Sequence, residues 1–294
     1  MKAWLELLKL RITVASTITT AVGYVMARGQ FDTNMLLAML GILLQACGAA
    51  AMNQVQDSNL DIKMPRTAGR PIPSGRIPRV WAAVYSVALV LLGTAILWTY
   101  GMLPALLGVL AAVIYNGIYT PMKRLTPFVV LPGAVIGAIP PVVGWLCAGG
   151  YITDPTIHMV AFFFFIWQMP HFWLLLLVYA RDYIDGGLPS LFDRFDRRQI
   201  VKFTFLWIIA VCVAAMLLPM VNLFDHVVYA YVVAVAAVVV VVRATALLRI
   251  DVRSAVEEGG EALKAFNKSC KIRFMEINTF SLLVSVLLVV DGLG

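Results

Sequence analysis

The chain alternates long, unbroken apolar stretches with short polar ones. The stretches cover 10–27, 36–51, 80–99, 103–119, 128–147, 156–179, 203–221, 227–248 and 272–290. About 20 apolar residues carry a helix across a bilayer. The pattern therefore predicts an all-α, polytopic membrane protein with nine transmembrane helices in a single domain over 1–294. The second and fourth stretches are short, so their helices are expected to reach into the flanking polar residues. The first follows Lys2, Lys9 and Arg11, where a signal peptide would lie. It is threaded with Thr13, Ser16, Thr17, Thr19 and Thr20 and lacks a small-x-small cleavage site, so it reads as a retained helix.

Composition agrees. Hydrophobic residues make up 61% of the 294 positions and charged residues only 13%, with a mean hydropathy of +0.88. Soluble domains are nearer 45–50% apolar and about a quarter charged, so a water-soluble globule is excluded, as are disordered, collagen-like and disulfide-stapled chains. Cys47, Cys147, Cys212 and Cys270 form no CxxC and read as reduced packing residues. The net charge of +7 is a matter of placement. With the N-terminus cytoplasmic, every Lys and Arg but Arg28 falls on the inner side, which sets the orientation and argues against nucleic acid as the partner. The long, charged segments after the second, sixth and eighth stretches are then cytoplasmic, and chemistry is expected on that face.

The segment after the second stretch is the most informative. Asn53, Asp57 and Asp61 recur every four residues and share one helical stripe if the helix continues. Two carboxylates and an amide oxygen suit Mg²⁺, a hard cation that shares its shell with substrate phosphates. Arg66 and Arg70 follow, able to clamp phosphate oxygens. Together they suit a metal-bridged diphosphate; the plainer alternative is a set of solvated juxtamembrane charges. The run Asn-x3-Asp-x2-Leu-Asp-x2-Met-x-Arg-Thr-x2-Arg-x4-Gly over 53–75 resembles the signature of the UbiA family of intramembrane prenyltransferases. The resemblance implies a UbiA-like helical bundle with a cytoplasmic-side active site, an isoprenyl diphosphate held through Mg²⁺, and an acceptor that receives the prenyl group.

By the same resemblance, Arg181, Asp182 and Asp185 after the sixth stretch stand at the family's second aspartate-rich motif, although the family's usual D-x-x-x-D is here D-x-x-D. Asp193 and Asp196, farther on, read as a solvated face. Residues 119–124, 133–145 with Pro140-Pro141, 167–172, Asp182-Tyr183 and 187–189 look like the heme O synthase branch (protoheme IX farnesyltransferases). After Pro189, the Ser190-Leu191-Phe192-Asp193 run departs from that branch, which leaves the acceptor open. The branch implies farnesyl diphosphate and heme B as substrates, a bacterial inner-membrane location, and a downstream heme A synthase or terminal oxidase. Carried over residue by residue, Asn53, Asp57, Asp61, Arg66, Arg70 and Asp182 are catalytic. Asp57, Asp61, Asp182 and Asp185 hold Mg²⁺, and Lys123, Arg124, His171, Arg181 and Asp185 bind substrate.

Several residues keep two readings. His171 lies within a span, where an ionisable group is a functional candidate by default; either it meets the porphyrin, or it or Gln168 satisfies the carbonyl freed by Pro170. Lys123 and Arg124 are explained by topology or by contact with diphosphate or a heme propionate. Phe162, Phe163, Phe164, Phe165, Trp167 and Trp173 pack, face lipid or line a prenyl tunnel. Prenylation of an aromatic acceptor such as 4-hydroxybenzoate, a transporter and an oxidase assembly factor remain alternatives.

Overall fold

The computed structural model describes residues 2–179, 189, 191–221, 223–249 and 260–293, excluding the side chains of 192, 260 and 262. Among these there is no strand, and nine helices are long and apolar enough to span a membrane. A short helix, Lys2–Leu7, precedes them. The spanning helices are α1 (Leu10–Arg28), α2 (Thr33–Asp61), α3 (Arg79–Trp98), α4 (Met102–Val113) and α5 (Val130–Cys147). They continue as α6 (Pro155–Val178), α7 (Arg197–Met220), α8 (Val227–Ala244) and α9 (Gly260–Asp291). A π-helical segment, Ile114–Tyr119, and the turn Thr120–Met122 prolong α4.

Every expected span is present; α2 and the fourth span reach into the flanking polar residues as expected, and α9 also overruns its stretch. With 29 residues α2 is about 44 Å long, well beyond a hydrocarbon core of about 30 Å. Seven of its last ten residues, Asn53, Gln54, Gln56, Asp57, Ser58, Asn59 and Asp61, are polar and lie outside the apolar stretch, because hydropathy marks only the lipid-immersed part. The helix goes on wherever its polar side chains find partners. At α7 the loop residue Asp196 is the N-cap: its carboxylate accepts from Gln199 N at 2.7 Å and Gln199 Oε1 accepts from Asp196 N at 2.9 Å. That gives Asp196 a structural task in the loop read as solvated.

Two larger hydrophobic clusters pack most of the bundle. One joins α1 to α5 around Tyr24, Val25, Leu97 and Ala105; the other joins α6 to α9, with Val22 of α1 and Trp145 of α5, around Phe163, Phe164, Ile208 and Val284. Where α1 crosses α5 the backbones nearly touch. A Cβ on Gly23 would lie 1.9 Å from Pro141 O, and one on Gly144 1.9 Å from Thr20 O, so only glycine permits this approach. Against α3, Ser86 Oγ donates to Gly48 O at 2.7 Å and fixes α2 in place. All four cysteines are free and buried. Large exposed apolar residues such as Val228, Val235, Leu91 and Leu92 sit on the outside, as a lipid-facing surface requires.

Candidate active site

The continued α2 helix brings Asn53, Asp57 and Asp61 onto one face, at 4%, 3% and 4% exposure. Buried carboxylates need compensation, and each has it. Asp57 Oδ2 accepts from Lys123 Nζ and, at 2.9 Å, from Asn53 Nδ2; its Oδ1 lies 3.2 Å from Arg124 Nη2. Arg124 also donates to Gln56 O at 2.7 Å. Asp61 takes both oxygens to Arg70 Nη1 at 2.8 Å, while Thr67 Oγ1 caps the Asp61 carbonyl at 3.0 Å. Lys123 and Arg124 therefore do more than mark topology.

Arg66 and Arg70 do not share a helical face. Pro65, Pro71 and Pro73 keep 62–78 from forming a helix, and the segment is a string of turns. Arg70 reaches inward to Asp61, whereas Arg66 is exposed and holds its guanidinium 5.6 Å from the Tyr179 ring centroid.

The π-helical segment explains how α4 delivers its cations. It widens the helix beside α2, and Asn116 bridges the gap: its Nδ2 donates to Ala49 O at 3.0 Å and to Gln56 Oε1 at 3.2 Å, while Gln56 Nε2 donates to Asn116 O at 2.9 Å. Thr120 Oγ1 accepts from Asn53 Nδ2 at 3.0 Å and donates to Tyr115 O at 2.8 Å. The Tyr115 and Tyr119 rings stack 5.5 Å apart. With Phe172, Tyr119 crowds Gly133 and makes an aromatic wall beside the polar cluster.

Lys9, one of the inner-side charges in the sequence, is part of the site in the structure. Among the described residues it is the one non-glycine with positive φ, 47°, in the turn between Lys2–Leu7 and α1. Gln54 Nε2 anchors that turn by donating to Leu7 O at 2.8 Å. Lys9 Nζ donates to Asn53 Oδ1 at 3.0 Å, so the amide oxygen expected to face a metal faces an ammonium. Burial, helped by Arg70 and Lys123 and opposed by Asp57 and Asp61, pulls the Lys9 pKa down from 10.5 to about 8. Nothing local in the sequence marks Lys9. Asn116 had a signal, a lone amide in the apolar stretch 103–119.

His171 reaches α9 rather than the carbonyl freed by Pro170. Its Nδ1 lies 3.0 Å from Asn278 Oδ1, and because Asn278 Nδ2 donates to Phe274 O at 2.6 Å, the oxygen faces the ring. This assigns the proton to Nδ1 and leaves Nε2 with a lone pair. Trp167, Phe172 and Phe274 surround the imidazole at centroid distances of 5.0, 5.7 and 4.7 Å. Arg181, Asp182 and Asp185 lie outside the described residues. Among the described residues no three His, Cys, Asp or Glu side chains converge on one point; the hard oxygen donors at the site are the carboxylates of Asp57 and Asp61.

Comparison with known proteins adds the following. The sequence pattern of the UbiA prenyltransferase family matches residues 16–257. The protoheme IX farnesyltransferase of Oleidesulfovibrio alaskensis is 36% identical over 74% of this chain and 78% of its own length. That of Nitratidesulfovibrio vulgaris is 38% identical over 72% and 75%. Among solved structures, a digeranylgeranylglyceryl phosphate synthase superposes with a TM-score of 0.78 at 14% identity, covering 99% of this chain and 98% of the other. A UbiA homologue from Archaeoglobus fulgidus bound to DMAPP and Mg²⁺ gives 0.69 at 14% identity over 97% and 99%.

Proposed function

The chain belongs to the UbiA prenyltransferase family, and on that premise we propose that it transfers the farnesyl group of farnesyl diphosphate to a vinyl group of heme B, making heme O. The acceptor rests on the relatives named protoheme IX farnesyltransferase. The reaction type rests on one observation: two buried carboxylates on one helical face, each matched to its own set of cations.

That pairing is what a site for a metal-bridged diphosphate needs before substrate arrives. The donor set fits Mg²⁺, since Asp57 and Asp61 offer hard oxygens one helical turn apart. Asp182 and Asp185 would complete it from the second motif. When bound, the metal supplies charge neutralisation on the departing diphosphate. The chain does the rest. Lys123, Arg124 and Arg70, released from the carboxylates, turn to the phosphate oxygens, and Lys9 adds a fourth cation. As the allylic C–O bond breaks, its electron pair leaves with the diphosphate, and these groups stabilise the charge that develops. Tyr115, Tyr119 and Phe172 present ring faces to the farnesyl cation and shield it from water. The terminal vinyl carbon bonds to farnesyl C1. Water then captures the second cation beside the porphyrin ring, losing a proton to leave a hydroxyethylfarnesyl group. His171, through Nε2, contacts the porphyrin, and Arg66 and Arg181 bind anionic groups of the substrates.

We place the site on the cytoplasmic face of a bacterial inner membrane, following the Lys/Arg bias, with heme O passing to a heme A synthase or terminal oxidase. Membranes containing the chain, supplied with heme B, farnesyl diphosphate and Mg²⁺, should yield farnesylated hydroxyethyl heme by mass spectrometry. The product should vanish with EDTA or Asp57→Asn. Unchanged heme alongside prenylated 4-hydroxybenzoate would keep the reaction and replace the acceptor.

A further inference from the structure

Helices α8 and α9 are tied at both ends by charged side chains. At one end Asp291 accepts from the backbone N–H of Asp225 at 2.8 Å and of His226 at 3.2 Å. At the other, Arg243 Nε lies 2.5 Å from Glu276 Oε1, and Arg273 donates through Nη1 to Arg243 O and holds its Nε 2.7 Å from Glu276 Oε2 as an ion pair. Beside this second tie a groove of about 730 Å³ opens between the two helices.

The groove is sorted along its length. Its lining positions recur every three and four residues on each helix, from Ala236 to Arg243 on α8 and from Lys268 to Leu283 on α9, so two helical stripes face each other. The floor is apolar, with Val240 and Phe280 buried, and Met275 and Leu283 flank it. The rim at one end carries Lys268 and Lys271, both exposed and without an ion-pair or hydrogen-bond partner among the described residues. Arg243 and Arg273 lie next to them, and the carboxylate of Glu276 is already shared by both arginines. Four cations thus stand against one carboxylate, and the excess sits at the α9 N-terminal end, level with the C-terminal ends of α2 and α4 by helix alternation. From Lys268 to Leu283 the stripe runs about 22 Å, the thickness of one leaflet with its headgroup region.

We propose that this groove binds an anionic phospholipid, with its headgroup phosphate between Lys268 and Lys271 and an acyl chain along Val240, Met275, Phe280 and Leu283. An apolar helix from another protein would cover the floor but leave the ammonium groups uncompensated. A lipid with a negative headgroup matches both ends at once. Basic recesses between transmembrane helices favour such headgroups, at about five-fold in affinity per Lys near the surface.

The test uses the full chain in mild detergent with equal amounts of phosphatidylglycerol and phosphatidylcholine of identical acyl chains, read by native mass spectrometry. Wild type should retain one phosphatidylglycerol in preference to phosphatidylcholine. Lys268→Ala and Lys271→Ala should each cut that retention about five-fold, and the double variant should bind both lipids alike. Ala236→Phe, which fills the apolar end, should lower retention of both. Equal retention of the two lipids by wild type, or undiminished phosphatidylglycerol in the double lysine variant, would overturn the proposal. So would a lipid-free dimer that Ala236→Phe separates, since a second copy would then own the groove. The two lysines are exposed, so their replacement leaves the fold intact whatever becomes of Ala236→Phe.

Discussion

Replacing Lys9 by Met should stabilise the substrate-free protein and cripple its use of farnesyl diphosphate. In the folded chain the Lys9 pKa falls from 10.5 to about 8, first because the ammonium is buried and then because Arg70 and Lys123 crowd it. Keeping it charged at pH 7 costs the fold on the order of 3 kcal/mol. Methionine keeps the apolar stem but forfeits the hydrogen bond to Asn53 Oδ1, worth about 1.5 kcal/mol or somewhat more. The net expectation is a gain of about 1–2 kcal/mol. The pH dependence follows from the lowered folded pKa. Between about 8 and 10.5 the unfolded chain binds more protons than the folded one, so wild-type stability rises with pH across that window. The advantage of Lys9→Met is full below pH 8 and fades towards pH 10.5. With substrate the sign reverses, because a lost charge-assisted contact to diphosphate raises KM roughly ten-fold or more. Lys9→Arg should keep KM low. Thermal unfolding in EDTA at pH 7 and pH 10, with steady-state kinetics, measures both halves. Unfolding of Lys9→Met below wild type at pH 7, together with an unchanged KM, would refute the reasoning.

Asp57→Asn should lower turnover by about 10²-fold or more while costing about 1–3 kcal/mol, discounted because Arg124 is half exposed; product formation and melting separate the two. Gly144→Ala, which would drive a Cβ to 1.9 Å from Thr20 O, should cost about 1–3 kcal/mol, whereas Gly117→Ala, whose nearest contact would be 3.9 Å, should leave the melting temperature in place. Asn116→Ala should cost about 1–3 kcal/mol and lower kcat by displacing Lys123 and Arg124; a double-mutant cycle with Gln56→Ala should show coupling, and strict additivity would mean that the bridge does nothing. His171→Ala should raise KM for heme B and leave KM for farnesyl diphosphate alone, with Asn278→Ala giving a milder version of the same split; equal rises for both substrates would move His171 away from the acceptor.

Much of this was readable along the chain. Nine spans follow from runs of apolar residues, because a helix in lipid must satisfy its own backbone and hide no charge, and both conditions act locally. The Asn53, Asp57 and Asp61 stripe was legible for the same reason: spacing by four is a statement about one helix, and α2 does continue to Asp61. Arg66 and Arg70 stand four apart, but the prolines around them keep the segment out of a helix, and Arg70 reaches the stripe while Arg66 lies over Tyr179.

Pairing across the bundle was beyond any such pattern. That Asp57 answers to Lys123 and Arg124, Asp61 to Arg70, Asn53 to Lys9 and His171 to Asn278 depends on how segments 9 to 107 residues apart in sequence come to pack. That packing is set by shape and contact, by the glycines that let α1 and α5 touch and the Asn116 bridge that ties the π-segment to α2. So the sequence alone determined the helices and the acidic stripe. Only the tertiary structure decided which charges neutralise which, because electrostatic energy depends on distance through space and periodicity records only distance along the chain.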